Sequence, residues 1–191
     1  NIKGDDINIV NDNPWRANVL TRRLEGWTKI GKVFKDRPYA SYGLQLSASH
    51  HDQQATFGDR VYDATQSSIY ANFIYQTIIS DTQHQIKYGG SYQYDDFDEL
   101  LGPTTFERNE HLAGLFSEYQ YTPNDKWTLV LGMRGDYHNN FGFFATPRIH
   151  LKYNPDETTS WRLAAGRGQR TATIIAENIG ILATSRSINI E

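Results

Sequence analysis

Hydrophobic and polar residues alternate with a period of two over most of this chain. The alternation is most regular from Trp127 to Arg170, where three runs place apolar side chains on one face and polar side chains on the other. The apolar sets are Trp127, Leu129, Leu131 and Met133; Ala145, Pro147, Ile149, Leu151 and Tyr153; and Trp161, Leu163 and Ala165. Successive side chains of a β-strand point to opposite faces. Each run therefore predicts a strand with one apolar and one polar face.

The same pattern predicts five earlier strands between Val19 and Tyr121. Their apolar faces carry Leu24 and Ile30, Leu44 and Leu46, Phe73 and Tyr75, Tyr88 and Tyr92, and Leu115 and Tyr119. Short turns at KDRP, SDTQ, TPNDK and NPDET alternate with looser polar connections around residues 51–66, 96–109 and 139–144. The four turns therefore fall at one end of the predicted strands and the longer loops fall at the other end.

This asymmetry predicts an all-β fold, an antiparallel up-and-down transmembrane β-barrel segment of about eight strands. Bacterial outer-membrane barrels have short periplasmic turns and longer extracellular loops, and a tilted strand of about 9–11 residues spans the hydrocarbon core. Tyr121, Trp127, Tyr153 and Trp161 lie beside the tight turns, as membrane-interface aromatics would. The predicted divisions are a loop over 1–18, a partial barrel wall over 19–170, and an extracellular loop over 171–191 that could contain a short helix around 174–182.

Periodicity alone does not decide which face points outward. Soluble barrels and sandwiches alternate as well, with the apolar face inward. Eight strands could also close a self-contained barrel, either a small membrane barrel or a soluble ligand-binding one. Such a narrow interior would need partners for Lys87, Glu118, Arg134 and Arg148, whereas an open wall would expose two strand edges. The residues by themselves leave both arrangements open.

The composition removes several classes of protein. The 191 residues contain no cysteine, so a disulfide framework and a thiolate metal site are excluded. A net charge of -3, without a basic stripe, gives no case for binding nucleic acid. The apolar runs are too short for a transmembrane helix, and alternation explains the low mean hydropathy of a barrel. Because the chain begins at Asn1 without a signal peptide, we expect an excised segment.

The sequence contains no convincing catalytic, metal or cofactor motif. Its six histidines lack the spacing of a zinc site. Gly166 and Gly168 are not followed by a βαβ unit, which a dinucleotide-binding glycine motif would require. No Gly-x-Ser-x-Gly arrangement indicates a nucleophile. We therefore expect neither an enzyme nor a bound cofactor or metal.

Two stretches of the sequence, SEYQYTPNDKWTLVLGMRGDYHN and TPRIHLKYNPDETTSWRLAAGRGQRTATIIAENIGILATSR, carry a family resemblance, with weaker support from EGWTKIGKVF, GLQLSAS and YQYDDFDE. The chain resembles the barrel of a TonB-dependent outer-membrane receptor of the kind found in Bacteroidetes. The resemblance implies a wall of about 22 strands around a plugged lumen. It also implies an N-terminal plug and a short box that engages TonB, neither of which is visible here. We therefore expect a barrel segment without its plug domain.

What the resemblance implies about function is active uptake of a scarce nutrient, such as a ferric siderophore or another metal chelate, across the bacterial outer membrane. The partners it implies are outer-membrane lipid, TonB through the missing N-terminal region, the missing plug and strands, and the small-molecule nutrient. Lumen-facing groups near the loop end of the strands are the candidates for substrate contact: Asp95, His111, Asp136, His138 and Arg170. The same side chains could instead solvate the lumen or contact the plug.

Overall fold

The computed structural model describes residues 16–172 together with residues 177, 178, 180 and 182. Within these residues eight strands form one antiparallel sheet in chain order. The strands are β1 (Ala17–Phe34), β2 (Arg37–Phe57), β3 (Arg60–Ile79), β4 (Asp81–Leu101), β5 (Thr104–Asn124), β6 (Trp127–His138), β7 (Gly142–Tyr153) and β8 (Trp161–Gly166). Neighbours in sequence are neighbours in the sheet, so the topology is up-and-down. The predicted all-β antiparallel fold class is confirmed.

Strands β2 to β5 are longer than the alternation predicts. The loops predicted over residues 51–66 and 96–109 are wrong, because pairing continues through them and leaves only residues 58–59 and 102–103 as hairpin turns. Gly58 and Gly102 adopt φ values of 61° and 58° in these turns, a conformation that glycine takes without steric cost. The polar segments therefore extend two long hairpins instead of interrupting the sheet.

Other predicted boundaries shift by smaller amounts. The loop predicted over 139–144 is reduced to residues 139–141, and Ala17 and Asn18 belong to β1 rather than to a loop. At the opposite end of the sheet the four connections are residues 35–36, Ser80, 125–126 and 154–160. Residues 1–15 of the loop predicted over 1–18, and most of the helix predicted around 174–182, lie outside the described residues.

The pairing register places the predicted apolar sets on one common face. Leu129 pairs with Leu151, and Leu151 pairs in turn with Leu163. Directly paired residues point to the same side of a sheet. Extended across all seven strand pairs, this register defines an apolar face and a polar face, which carries Lys87, Arg134 and Arg148.

The apolar face is a band with a clear limit at the hairpin end. On β3, β4 and β5 the band ends at Ile69, Tyr94 and His111, and the next positions on that face are Ser67, Asp96 and Asn109. On β6 it extends from Trp127 to Tyr137. At a rise of about 3.4 Å per residue and a tilt of about 45°, this length corresponds to roughly 24 Å of membrane thickness. The hairpins of β2–β3 and β4–β5 continue beyond the band.

Burial in this sheet is the reverse of burial in a soluble protein. Leu115 and Leu163 on the apolar face are 74% and 69% exposed, whereas Glu99 and His138 on the polar face are each 2% exposed. Charged side chains are normally the exposed ones, and large apolar patches normally have a partner. The apolar face therefore requires a non-aqueous environment. No helix in the described part of the chain is both long and apolar enough to cross a membrane.

Candidate binding site on the polar face

A lower cluster of charges joins β4, β5 and β7 near the turn end. Lys87 donates to Glu118 Oε1 at 3.3 Å, and Arg148 Nη2 donates to the second oxygen of the same carboxylate. Gly132 lies between Glu118 and Arg148 in the register, and a Cβ built on it would be 2.6 Å from Arg148 Cγ. The glycine therefore leaves the space that lets Arg148 reach across β6.

A middle cluster joins β4 to β6. Arg134 donates from Nε to Asp136 Oδ2 at 2.7 Å, and from Nη2 to Asp136 Oδ1 at 2.5 Å and to Ser91 Oγ at 2.7 Å. This pair lies over Gly114, where an added Cβ would collide with both side chains. A two-point contact of this kind fixes the guanidinium plane against the wall.

An upper cluster connects β3, β4, β5 and β6 beyond the apolar band. Tyr62 donates its hydroxyl to Glu99 Oε1 at 2.7 Å, and Arg108 Nη1 bonds the other Glu99 oxygen. Arg108 Nε donates to Glu110 Oε1 at 2.8 Å, and Glu110 Oε2 lies 3.4 Å from His138 Nε2. The five side chains form a continuous network that ties the tips of the two long hairpins to β6.

Apolar contacts seal the upper cluster. The Arg108 guanidinium lies 3.8 Å from the centre of the Phe97 ring, and Tyr62 packs with Ala55 and Leu182 in a small buried core. Burial, together with the hydrogen bond to the nearby Glu99 carboxylate, raises the pKa of the Tyr62 phenol well above its ordinary value. Arg108 Nη2 is buried and has no hydrogen-bond partner among the described residues. The cluster is thus largely withdrawn from water.

Asp95 is held by neutral donors. Ser68 bonds Asp95 Oδ1, Gln66 donates to the same oxygen at 3.3 Å, and Gln93 donates to Oδ2 at 2.6 Å. The carboxylate is buried. All three partners are neutral, and no ion pair joins Asp95 to a cation within the described residues.

The structure brings together only some of the predicted site residues. Asp95, Asp136 and His138 lie on the polar face but apart from one another. Asp136 belongs to the middle cluster, His138 belongs to the upper cluster, and Asp95 is bound by its own set of neutral donors. Asp136 and Arg170 line one concavity of about 460 Å³. Arg170 also pairs with Glu177 at 2.6 Å. Whether any of them contacts a substrate stays a prediction.

The prediction that His111 shares a face with Asp95, Asp136 and His138 is wrong. His111 pairs with Tyr94 on the apolar face, and its Nδ1 lies 2.7 Å from the Tyr92 hydroxyl. The physical reason is parity: β5 begins at Thr104, so His111 points to the same side as Ala113 and Leu115. A histidine between two tyrosines at the upper limit of the band has the position of an interfacial residue.

Sequence reasoning missed the charged residues that form most of the upper cluster. Glu99, Arg108 and Glu110 were hidden because the segment around them was predicted as a loop. Residues 95–99, DDFDE, carry acidic side chains on both faces, so no alternation marked the continuing strand. Arg167 was missed as well, because the alternation of Trp161, Leu163 and Ala165 places position 167 on the apolar face.

The predicted interfacial aromatics all lie on the apolar face beside the turn end. The rings of Trp127 and Tyr153 stack at 4.1 Å, and Trp161 pairs with Tyr153 in the register. Tyr121 stacks on His84 at 4.7 Å. Their role at a membrane interface remains a prediction.

Among the described residues, no group of three or more histidine, aspartate or glutamate side chains is arranged to hold a metal ion.

The sheet and its two faces define an all-β wall with a polar side and an apolar side, and comparison with known proteins gives its family. The family model described as TonB dependent receptor-like, beta-barrel matches residues 4–187. The chain belongs to this family of receptor barrels. No curated protein matches the chain. Among solved structures, it is similar to the crystal structure of the ferric citrate transporter FecA in the unliganded form, at 14% identity and a TM-score of 0.49. The similarity covers 78% of this chain and 27% of that one.

Proposed function

We propose that this chain is part of the wall of a bacterial outer-membrane, TonB-dependent receptor for active uptake of a scarce nutrient, such as a ferric siderophore or another metal chelate. The observation that carries the proposal is the inverted burial, with Leu115 and Leu163 exposed on one face while Glu99 and His138 are buried on the other. Lipid is the environment that matches an apolar band of roughly 24 Å bounded by aromatic residues.

In this proposal the polar face lines the lumen and the long hairpins extend into the extracellular space. The three charge clusters support this assignment, because ionised groups facing lipid would be costly whereas a hydrated lumen accommodates them. Asp95, Asp136, His138 and Arg170 are the predicted substrate contacts on that side. Tyr121, Trp127, Tyr153 and Trp161 form the periplasmic part of the aromatic girdle.

The remaining partners follow from the same proposal. Within the described residues β1 and β8 are the edges of the sheet, and edge strands offer free backbone groups to further strands. This favours an open wall with additional strands over a self-contained eight-stranded barrel. A plug domain and TonB would then be needed for uptake, because a wall alone supplies no gate and no energy.

Cysteine labelling of adjacent positions tests the orientation of the wall, since the sequence contains no native cysteine. Leu151→Cys and Leu163→Cys should react with a lipid-soluble maleimide in membranes and resist a charged, water-soluble thiosulfonate. Lys152→Cys and Arg162→Cys, one position away on the same strands, should show the opposite preference. If Leu151→Cys and Leu163→Cys resist both reagents, the apolar face is an interior and the receptor proposal fails.

A further inference from the structure

Three arginines from consecutive elements surround one concavity on the polar face. Arg134 belongs to β6, Arg148 to β7, and Arg167 to the segment directly after β8. The concavity has a volume of about 350 Å³, and Tyr70 and Asn72 also line it. This volume lies within the range of small-molecule sites.

The hydrogen bonds of these arginines leave donors available. Arg134 uses Nε and Nη2 on Asp136 and Ser91, while Arg148 uses Nη2 on Glu118. The Arg167 side chain has neither a hydrogen bond nor an ion pair within the part of the chain that the structure describes. A guanidinium has five N–H donors, so most of the donor capacity of Arg148 and Arg167 faces open space.

The charges around the concavity do not balance. Arg134, Arg148 and Arg167 line the concavity with three positive charges. The groups joined to them in ion pairs add two negative charges, from Glu118 and Asp136, and one positive charge, from Lys87, which leaves a surplus of two positive charges. Like charges held close together raise the free energy unless a counter-charge is present. A concave, low-dielectric wall also focuses their field on the space between them. The complement that this cluster lacks is an anion.

Glycines shape the concavity. Arg148 lies across Gly132 and beside Gly166, where added Cβ atoms would be 2.6 Å and 3.1 Å from its side chain. The Arg134–Asp136 pair lies over Gly114 in the same way. Without side chains at these positions, the wall leaves room for the side chains of Arg134 and Arg148.

We infer that this concavity binds a small diffusible anion with a carboxylate or phosphate group, held by Arg148 and Arg167 with Arg134 as the fixed wall of the site. Arginine recognises such planar or tetrahedral oxyanions with paired N–H donors. The inference rests on the proposed function and deepens it, because it assigns a chemical class to a molecule that passes along the lumen.

Calorimetric titration of the full chain in detergent micelles tests the site, with succinate and inorganic phosphate as separate probes. Saturable binding is expected for at least one probe. Arg167→Gln should weaken that binding roughly tenfold, the loss expected for a charge-assisted hydrogen bond. Gly132→Ala should also weaken it, since the added methyl displaces Arg148 while its charge is kept. Arg162→Gln, on the same face but outside the concavity, should change the affinity less than about twofold. Far-ultraviolet circular dichroism verifies that each variant keeps its strand content.

Three outcomes would overturn the inference. The first is the absence of saturable binding of either probe, and the second is an equal loss in Arg162→Gln, which would indicate a diffuse field. The third is Arg167-dependent binding of hexaglutamate when neither small probe binds, because the ligand would then be a polypeptide carboxylate. The labelling experiment separates this inference from the proposed function. Correct labelling without anion binding removes only the site, whereas anion binding with the apolar face protected removes only the receptor assignment.

Discussion

The upper and lower charge clusters lie on the same face of the sheet but differ in how water reaches them. In the upper cluster the side chains of Glu99 and Arg108 are 2% and 28% exposed, and Tyr62, which donates to Glu99, packs in the small buried core. In the lower cluster the side chains of Lys87 and Arg148 are 37% and 55% exposed. Charges removed from water must be paired to be tolerated, whereas hydrated charges can remain partly unpaired. The difference indicates that the upper cluster holds the hairpins together and that the lower cluster is open to a ligand.

Removing the central carboxylate of each cluster should give the largest contrast. Glu99→Ala leaves the buried Tyr62 hydroxyl without its acceptor and leaves Arg108 with Glu110 as its one carboxylate partner, so we expect a loss of about 2 kcal/mol in unfolding free energy. Glu118→Ala leaves two cations that water can reach, and the loss should stay below about 1 kcal/mol. Urea unfolding in lipid vesicles, followed by tryptophan fluorescence, measures both. Equal losses would show that the two clusters do not differ in the way proposed.

Tyr62→Phe should give a smaller effect on the upper cluster alone. It removes one hydrogen bond to a buried carboxylate and keeps the ring in its apolar contacts, so the expected cost is about 1 kcal/mol. Tyr94→Phe is the matched control, because its hydroxyl bonds Asn109 at an exposed site. That control should change the unfolding free energy by only a few tenths of a kcal/mol.

The raised pKa of Tyr62 adds a pH dependence to this comparison. The unfolded chain releases the phenol proton near pH 10, whereas the folded chain still holds it there. The contribution of Tyr62 is therefore fully present below about pH 10 and is lost as the pH rises further. Absorbance at 295 nm should show one tyrosine in the wild type that titrates later than the others. This late step should be absent from Tyr62→Phe. Identical titration curves would contradict the burial of this hydroxyl.

Salt should produce the smallest effect, and it should act on the lower cluster. A double-mutant cycle on Arg148 and Glu118 should give a coupling of about 0.5 kcal/mol at low ionic strength that falls towards zero at about 1 M salt. The coupling between Arg108 and Glu99 should be larger and nearly independent of salt. A salt-insensitive Arg148–Glu118 coupling would mean that this pair is shielded from water, like the upper pair.

The accuracy of the sequence-based predictions follows the strength of the alternation. Where polar and apolar residues alternate within the band, as from Trp127 to Tyr153, both the strands and their faces were predicted correctly. Beyond the band both faces are polar, so the alternation disappears although the strand continues. For that reason residues 96–109 were predicted as a loop. His111 lies at the last position of the band and shares the parity of Ala113 and Leu115, so its polar side chain, and not its position, suggested the other face.

The sequence alone determined the fold class, the up-and-down order of the strands and the apolar set, because side-chain parity is a local property of an extended chain. Only the tertiary structure decided which charges meet. Tyr62, Glu99, Arg108 and His138 come from four strands, and their contacts depend on the register of each pair and on the length of the hairpins. The convergence of Arg134, Arg148 and Arg167 depends in the same way on the space left by Gly132 and Gly166. A one-residue change in register would move each of these side chains to the other face, which is why parity alone could not locate the site.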